Sequence, residues 1–419
     1  MAHVVVHRIF SLSVSLPVRG ADGLAKRAPY GGVERQRLSS QSLKSHLRAT
    51  TGVPGSMADL AAALGTEMSV RSALIGPRLI APALEKRGLS FEEASDWAGA
   101  VMALFQSGKK APPPEAAAPK KGKKAKADTE ADVAKEDDAD EPAAVSLPGR
   151  QVLTLGKQEI DALTTVAATL QEEKIAPSEM RDLVEKATKR KKYSVKVQNA
   201  FKALDGMRDH AGLDGALFGR MATGIALSRV DSAVHVGHAL TTHTIQSSVD
   251  FFSAQDQLLD RDAGETGGAH IGSRELTTGV FYLPVVIDIE QIRNNCSGWT
   301  NDEIAKVVGW LVKSIATITP AAMLGSTAPF TDPGEVVVEI TNGQPVNAMG
   351  AFERPVVPTL DASVVAFNHH MERVWSMIGH PAKVARLSEF IDPKASLPAV
   401  QRLAESVAEV VRSNSSAPK

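Results

Sequence analysis

The feature that most constrains this 419-residue chain is its first extended run, residues 3–16 (HVVVHRIFSLSVSL). Phe10, Leu12, Val14 and Leu16 alternate with Ser11, Ser13 and Ser15, so a strand here has one apolar face to bury. A lone strand cannot bury it, and further strands are expected beside it. Such runs return at 225–246, at 276–289 (LTTGVFYLPVVIDI) and at 334–341 (GEVVVEIT). One helix begins at Ser39 or Ser40, and a second opens on the capping-box pair Thr300 and Glu303 and runs to about Ile318. Strand, helix, strand, strand, helix, strand is the order of the ferredoxin-like (RRM-like) fold, which makes the expected class α+β.

Between the first helix and the second strand lies a long helical insertion. Residues 57–205 carry helical patterns broken by Gly65, by Gly76–Pro77 and by Gly88. The expected division is 1–56 as the first part of the sheet unit, 57–210 as the insertion and 211–419 as the second part. Within the insertion, residues 107–149 are dominated by Ala, Pro, Lys, Asp, Glu and Gly. Such a stretch cannot bury enough apolar surface to offset its chain entropy, so a disordered linker is expected. Its lysines (Lys120, Lys121, Lys123, Lys124, Lys126) could touch nucleic acid, although a solvated linker is the simpler reading.

Residues 35–48 (RQRLSSQSLKSHLR) read as a loop, an N-cap and a helix. A serine cap and the helix dipole suit an anion. Lys44 and Arg48 lie four apart on one face, with Gln41 a turn earlier on the same side, while Leu43 and Leu47 form an apolar stripe that can hold the helix to a core. Caps and basic faces also occur without any ligand. The charge distribution adds to the case. Overall net charge is −1, yet among residues 1–50 Arg8, Arg19, Lys26, Arg27, Arg35, Arg37, Lys44 and Arg48 face only Asp22 and Glu34, eight minus two, or +6. A local basic surface in a neutral chain is the footprint of a nucleic-acid site.

Several classes of chemistry find no support. Cys296 is the sole cysteine, which excludes an intrachain disulfide and a multi-cysteine zinc site and fits a reducing cytoplasm. The N-terminus lacks a signal peptide's apolar core, and no run of about 18 apolar residues suggests a membrane span. His235, His238, His243 and His270, with Asp231, Asp250 and Asp256, could be imagined around a metal. Odd spacings send neighbouring histidines to opposite strand faces, so structural or RNA-contacting roles are preferred. The glycine-rich stretch 264–272 lacks the Walker lysine and the dinucleotide spacing, and reads as a projecting hairpin. No catalytic motif is present, and no cofactor or metal is expected.

GGVERQRLSSQSLKSHLR (31–48) resembles the N-terminal signature of CasC, the backbone subunit of the type I-E CRISPR surveillance complex called Cascade. Gly219–Arg220–Met221–Ala222–Thr223, Ala239–Leu240–Thr241–Thr242–His243, Gly268–Ala269–His270–Ile271–Gly272 and Thr278–Gly279–Val280–Phe281–Tyr282 look like further motifs in the family's order. The resemblance implies a right-hand shape: a ferredoxin-like palm, helical fingers formed by the insertion, and a thumb at about 247–275. It implies a non-catalytic protein whose copies stack along a guide RNA (crRNA) as a helical filament beside other Cascade subunits. The thumb of one copy would displace bases of RNA held by the next. The guide is presented to target DNA, and cutting falls to a recruited nuclease-helicase.

A guide of variable sequence must be gripped by phosphates and sugars. Arg19, Lys26, Arg35, Arg37, Ser40, Gln41, Lys44 and Arg48 are the residues suited to that grip. By carry-over from the family, Met221 is expected on the palm side, and Phe252 with Ile271 on the thumb as base-displacing wedges. Where the family often has basic residues after its paired glycines, this chain has Val33 and Glu34, and Arg27 is a candidate replacement. Two other functions compete: a metal-dependent endoribonuclease of the type III backbone kind, with Asp22 and then Asp250 as candidate carboxylates, and a general single-strand-binding protein.

Overall fold

The computed structural model describes residues 3–48, 55–105, 152–205, 211–220, 229–255, 268–319, 326–390, 394 and 396–413. Its strands are β1 (His3–Ser15), β2 (Arg27–Tyr30), β3 (Val33–Leu38), β4 (Val70–Ser72), β5 (Leu153–Leu155), β6 (Val234–Val236), β7 (Ala239–Thr241), β8 (Gln246–Gln255), β9 (Gly268–Asp288), β10 (Glu335–Thr341) and β11 (Lys383–Leu387). The main sheet runs β11–β10–β1–β9–β7–β3–β2, with β6 and β8 also paired to β9. The molecule is α+β, built on one large antiparallel sheet with helices. The expected linker at 107–149 lies outside the described residues.

β1 is buried on both faces through Phe10, not on one. Val4, Val6, Phe10 and Leu12 join the core under the helices Asn301–Thr317 and Val400–Ser413. Ile9 points the other way, into a core with Tyr282, Phe352, Phe367 and Met371 beneath the helix Leu360–Ile378. That helix covers the face the alternation left unassigned. Val14, past the covered region, is exposed.

Arg8 is fully buried in this sandwich. Its guanidinium donates to the carbonyls of Ile315 (3.1 Å) and Ile318 (2.5 Å) at a helix C-terminus, and to those of Asp332 and Pro333. It thereby fills the last-turn acceptors that a helix leaves open, where a positive charge also complements the dipole. Burial pulls the Arg8 guanidinium down to about 9.

The expected capping box is present: Thr300 Oγ1 accepts from Glu303 N, and Thr300 N donates to Glu303 Oε2. The run 31–38, read as loop, is instead half of a β2–β3 hairpin. Gly31 and Gly32, at φ 61° and 77°, supply the left-handed pair that a tight two-residue turn requires.

Helices of the insertion pack around a second core that includes Trp97, Phe105, Leu163, Leu170, Leu183 and Phe201. Met57 and Ala61, at the insertion's start, pack into the main-sheet core instead. Arg220 joins the two bodies. It lies 2.6 and 2.8 Å from the two carboxylate oxygens of Glu159 and donates to Thr154 O at 3.0 Å. Glu159 also accepts from Gly156 N, so the same carboxylate caps the helix Lys157–Glu172. Gly219, at φ 74°, turns the chain into Arg220 where a Cβ would meet Ser232 N.

Candidate nucleic-acid interface

The helix Ser40–Arg48 is held as its leucine stripe requires, with Leu43 and Leu47 buried. Ser39 is the cap: its Oγ accepts from Ser42 N at 3.4 Å. Ser40 contributes through its amide, which donates to His238 Nδ1 at 3.0 Å. Burial, then the charges of Arg37 and Lys26, pull the His238 imidazole below its ordinary value. That favours the neutral ring, and only a ring unprotonated at Nδ1 can accept from the amide. Lys26, Arg37, His238 and the helix start therefore form one neighbourhood. Arg37 Nε is buried there without a hydrogen-bond partner among the described residues.

One turn further on, Lys44 and Arg48 both lie over the Phe218 ring, with Nζ at 5.7 Å and Cζ at 5.0 Å from its centroid. Such separations suit cation–π attraction. Arg48 Nε also faces Asp214 Oδ2 at 3.4 Å. Burial, then Arg48's charge, lowers the Lys44 pKa. Burial, opposed by Asp214 and reinforced by Arg71, lowers that of Arg48. Arg71 is exposed on β4 and belongs to this basic face. Sequence reasoning missed it, because a three-residue strand offers no periodicity to single out its arginine.

Not every expected cation is available. Arg35 is fully buried, and its guanidinium donates to the carbonyls of Tyr30 (3.2 Å), Thr241 (3.2 Å) and Phe352 (2.8 Å). It is a strut between loops and strands, and not the phosphate contact expected of it, because its donors are spent on these buried carbonyls. Arg27 is likewise committed, to Glu275 and to Glu34 at 3.3 Å, so it does not replace the family's basic residues. Gln41 is exposed on the first helical turn, and Arg19 is exposed in the loop closed by its bridge to Ala25. Met221 lies outside the described residues.

β8 and β9 pair as the expected hairpin, and their register sets its two nominated residues apart. Residues directly paired across strands share a face. Phe252 pairs with Gly272, and Ser253 with Ile271, so Phe252 and Ile271 point to opposite faces. Phe252 lies under the Arg274 guanidinium, 4.6 Å from its ring centroid. Ile271 shares its face with Phe251 and Val249, which are 62, 68 and 73% exposed respectively. Val249, Phe251 and Ile271 thus form an exposed apolar patch on one face of the hairpin, with Phe252 on the other.

His243 of the motif at 239–243 is engaged by backbone on both sides of its ring. His243 Nε2 accepts from Val280 N at 3.0 Å while Nδ1 bonds Thr244 O at 2.8 Å, which locks two of the motifs together. Among the described residues no group of three His, Cys, Asp or Glu could hold a metal ion. No helix among them is long and apolar enough to cross a membrane.

A family model described as CT1975-like protein matches residues 4–411. No curated protein sequence matches the chain. A solved structure titled "CRISPR RNA-guided surveillance complex, pre-nicking" superposes with a TM-score of 0.66 at 22% identity, covering 98% of this chain and 100% of that one. Another, titled "CRISPR RNA-guided surveillance complex", gives 0.59 at 21% identity, covering 97% and 99%. At these identities the superpositions speak for the fold, and the family model speaks for the kinship. The chain belongs to the CT1975-like family, the CasC-type backbone subunits of CRISPR surveillance complexes.

Proposed function

We propose that this chain is a non-catalytic subunit that binds guide RNA in a type I-E Cascade-like complex, polymerises along it and presents it for pairing with target DNA. The observation that carries the reading is a cationic face along the helix Ser40–Arg48, with Arg37 near its start and Lys44, Arg48 and Arg71 toward its end, where Asp214 is the carboxylate facing Arg48. It offers charge and hydrogen bonds suited to phosphates and sugars, which a guide of any sequence presents. The order β10–β1–β9–β6/β7, with one helix after β1 and another after β9, supports a ferredoxin-like palm. The separate core of the insertion supports fingers, and the β8–β9 hairpin supports a thumb. Partner copies, other Cascade subunits, a recruited nuclease-helicase and a cytoplasmic setting follow from the same reading.

Purification with and without the RNA-processing partners tests it. A bound RNA of uniform length is expected, absent when those partners are absent. RNA of random length in both preparations would instead favour a general single-strand binder.

The endoribonuclease alternative gains nothing from the geometry, since Asp22 Oδ1 accepts from Leu24 N at 3.1 Å in an exposed turn and Asp250 pairs across strands with Arg274. Complementary RNA incubated with the filament and a divalent metal is expected to stay intact. Cuts at regular spacing, abolished by Asp22→Ala, would reverse this conclusion.

For the thumb, Phe251→Ala or Ile271→Ala is expected to reduce the chemical reactivity of displaced guide bases, at a cost of about 1–3 kcal/mol of base stacking. The salt dependence of binding should stay unchanged. Phe252→Ala should displace bases nearly normally, and an equal loss from all three variants would refute the facial assignment.

A further inference from the structure

Lys44 and Arg48 carry long, flexible side chains, and ordering them at the moment RNA binds costs conformational entropy. The structure holds them in advance from a second element, the short helix Leu213–Phe218. Asp214 is buried, and both its oxygens are already engaged, Oδ1 by Ser69 N and Oδ2 by Ser69 Oγ, each at 2.7 Å. It is therefore a fixed carboxylate rather than a mobile one. Arg48 meets it as an ion pair at Nε, 3.4 Å away and without hydrogen-bond geometry, through the nitrogen nearest the aliphatic stem. Among the described residues no hydrogen bond reaches the two terminal nitrogens of Arg48, the prongs that suit a phosphate. Four residues on, the buried ring of Phe218 lies under both cations.

We infer that Asp214 and Phe218 are positioning residues for RNA binding: Asp214 aims the Arg48 guanidinium, and Phe218 fixes Lys44 and Arg48 side by side on one aromatic face. The inference rests on the guide-RNA reading proposed above. It also gives the segment just before Gly219 and Arg220 a task that its sequence does not announce. Because Ser69 immediately precedes β4, whose Val70 packs on the second core, the aim of Arg48 is tied to the point where the chain passes from one core to the other.

The test uses the full chain, a labelled oligouridine RNA and anisotropy titrations over a range of salt. Asp214→Asn removes a negative charge from a basic face, so simple Coulomb attraction predicts tighter binding. The positioning role predicts the reverse: about tenfold weaker binding and a salt slope lower by about 0.7, the equivalent of one phosphate on a single strand. In the Arg48→Ala background the same substitution should have no further effect, whereas a merely structural role would act in both. Phe218→Leu should lower affinity and slope, and Phe218→Tyr should restore them. Equal or tighter binding by Asp214→Asn with an unchanged slope would overturn the inference. If Asp214→Asn fails to fold, the Phe218 pair decides on the same readout: equal behaviour of Leu and Tyr overturns it. Failure of the Lys44→Ala, Arg48→Ala double variant to weaken binding would sink the guide-RNA reading itself. A weakened double variant beside normal Asp214→Asn and Phe218→Leu would sink only the positioning role.

Discussion

Replacing Lys44 and Arg48 together by alanine is expected to weaken RNA binding by about a hundredfold at physiological salt, equally for all guide sequences. The magnitude follows from two charge-assisted hydrogen bonds to phosphate at about 1.5 kcal/mol each. The signature matters more than the size. Each phosphate that a cation ceases to neutralise on a single strand lowers the slope of log affinity against log salt by about 0.7, so the slope of the double variant should fall by about 1.4. Leu43 and Leu47 still hold the helix, and Asp214 keeps its two bonds from Ser69, so the fold should survive, with some stability lost along with the Arg48–Asp214 pair and the contacts over Phe218. Arg35→Ala makes the informative contrast. It removes a buried strut with three carbonyl partners, and should lower stability while leaving the salt slope of the folded fraction alone. Titrations of both variants across ionic strength, paired with urea unfolding, check both statements. A normal slope for the double variant would remove this helix from the interface.

The second large effect concerns stability. Arg220→Ala takes from Glu159, a fully buried carboxylate, the guanidinium that meets both its oxygens, at an expected cost of about 3–5 kcal/mol. Thr154 O loses its donor in the same step. The loss should appear in urea unfolding as an earlier transition of the insertion, because Glu159 also caps the helix Lys157–Glu172 at its start. Replacing both partners by methionine should restore much of the loss, since no unpaired charge is then buried. A cost below about 1 kcal/mol for Arg220→Ala would contradict a clamp between sheet body and insertion. In this family-like motif the arginine secures architecture, whatever its neighbour Met221 does.

The strands that sequence reasoning located were those whose apolar content marks them. β1, the latter half of β9, β10 and the capped helix at 301–317 all emerged from periodicity and from the Thr300–Glu303 pair. The β2–β3 hairpin did not, because its residues are charged and polar and it is exposed along β2. β4 and β5 pair at three residues each across a long stretch of chain, too short for any alternation to register. Nor did the reading anticipate the helix Leu360–Ile378, so β1 was assigned one buried face.

Arg35 and Arg37 show why the site was only partly legible. They are two residues apart on one strand and therefore share a face, and their chemistry is the same. Their fates differ because the carbonyls of Tyr30, Thr241 and Phe352 converge on the first and reach only that far. No local pattern encodes that convergence. The same holds for Asp214, whose partners Ser69 and Arg48 are distant in sequence. The hairpin's location was legible from its glycines, but the face of each aromatic required the register.

β9 runs unbroken for 21 residues, pairing with β1 along one part and with β8 along another. At roughly 3.3 Å per residue it spans about 70 Å, of which some 25 Å stands clear of β1. Mechanically the projecting hairpin is a cantilever: its root is clamped between the cores on either side of β1, and β9 runs without a break from arm to anchor. A force on the arm is returned to the core as torque about β1, where the pairing register shifts between Leu12 and Ser15. In an array of identical copies, the pitch between successive arms then becomes a property inherited from buried packing around that root, and the surface that meets the ligand need not encode it.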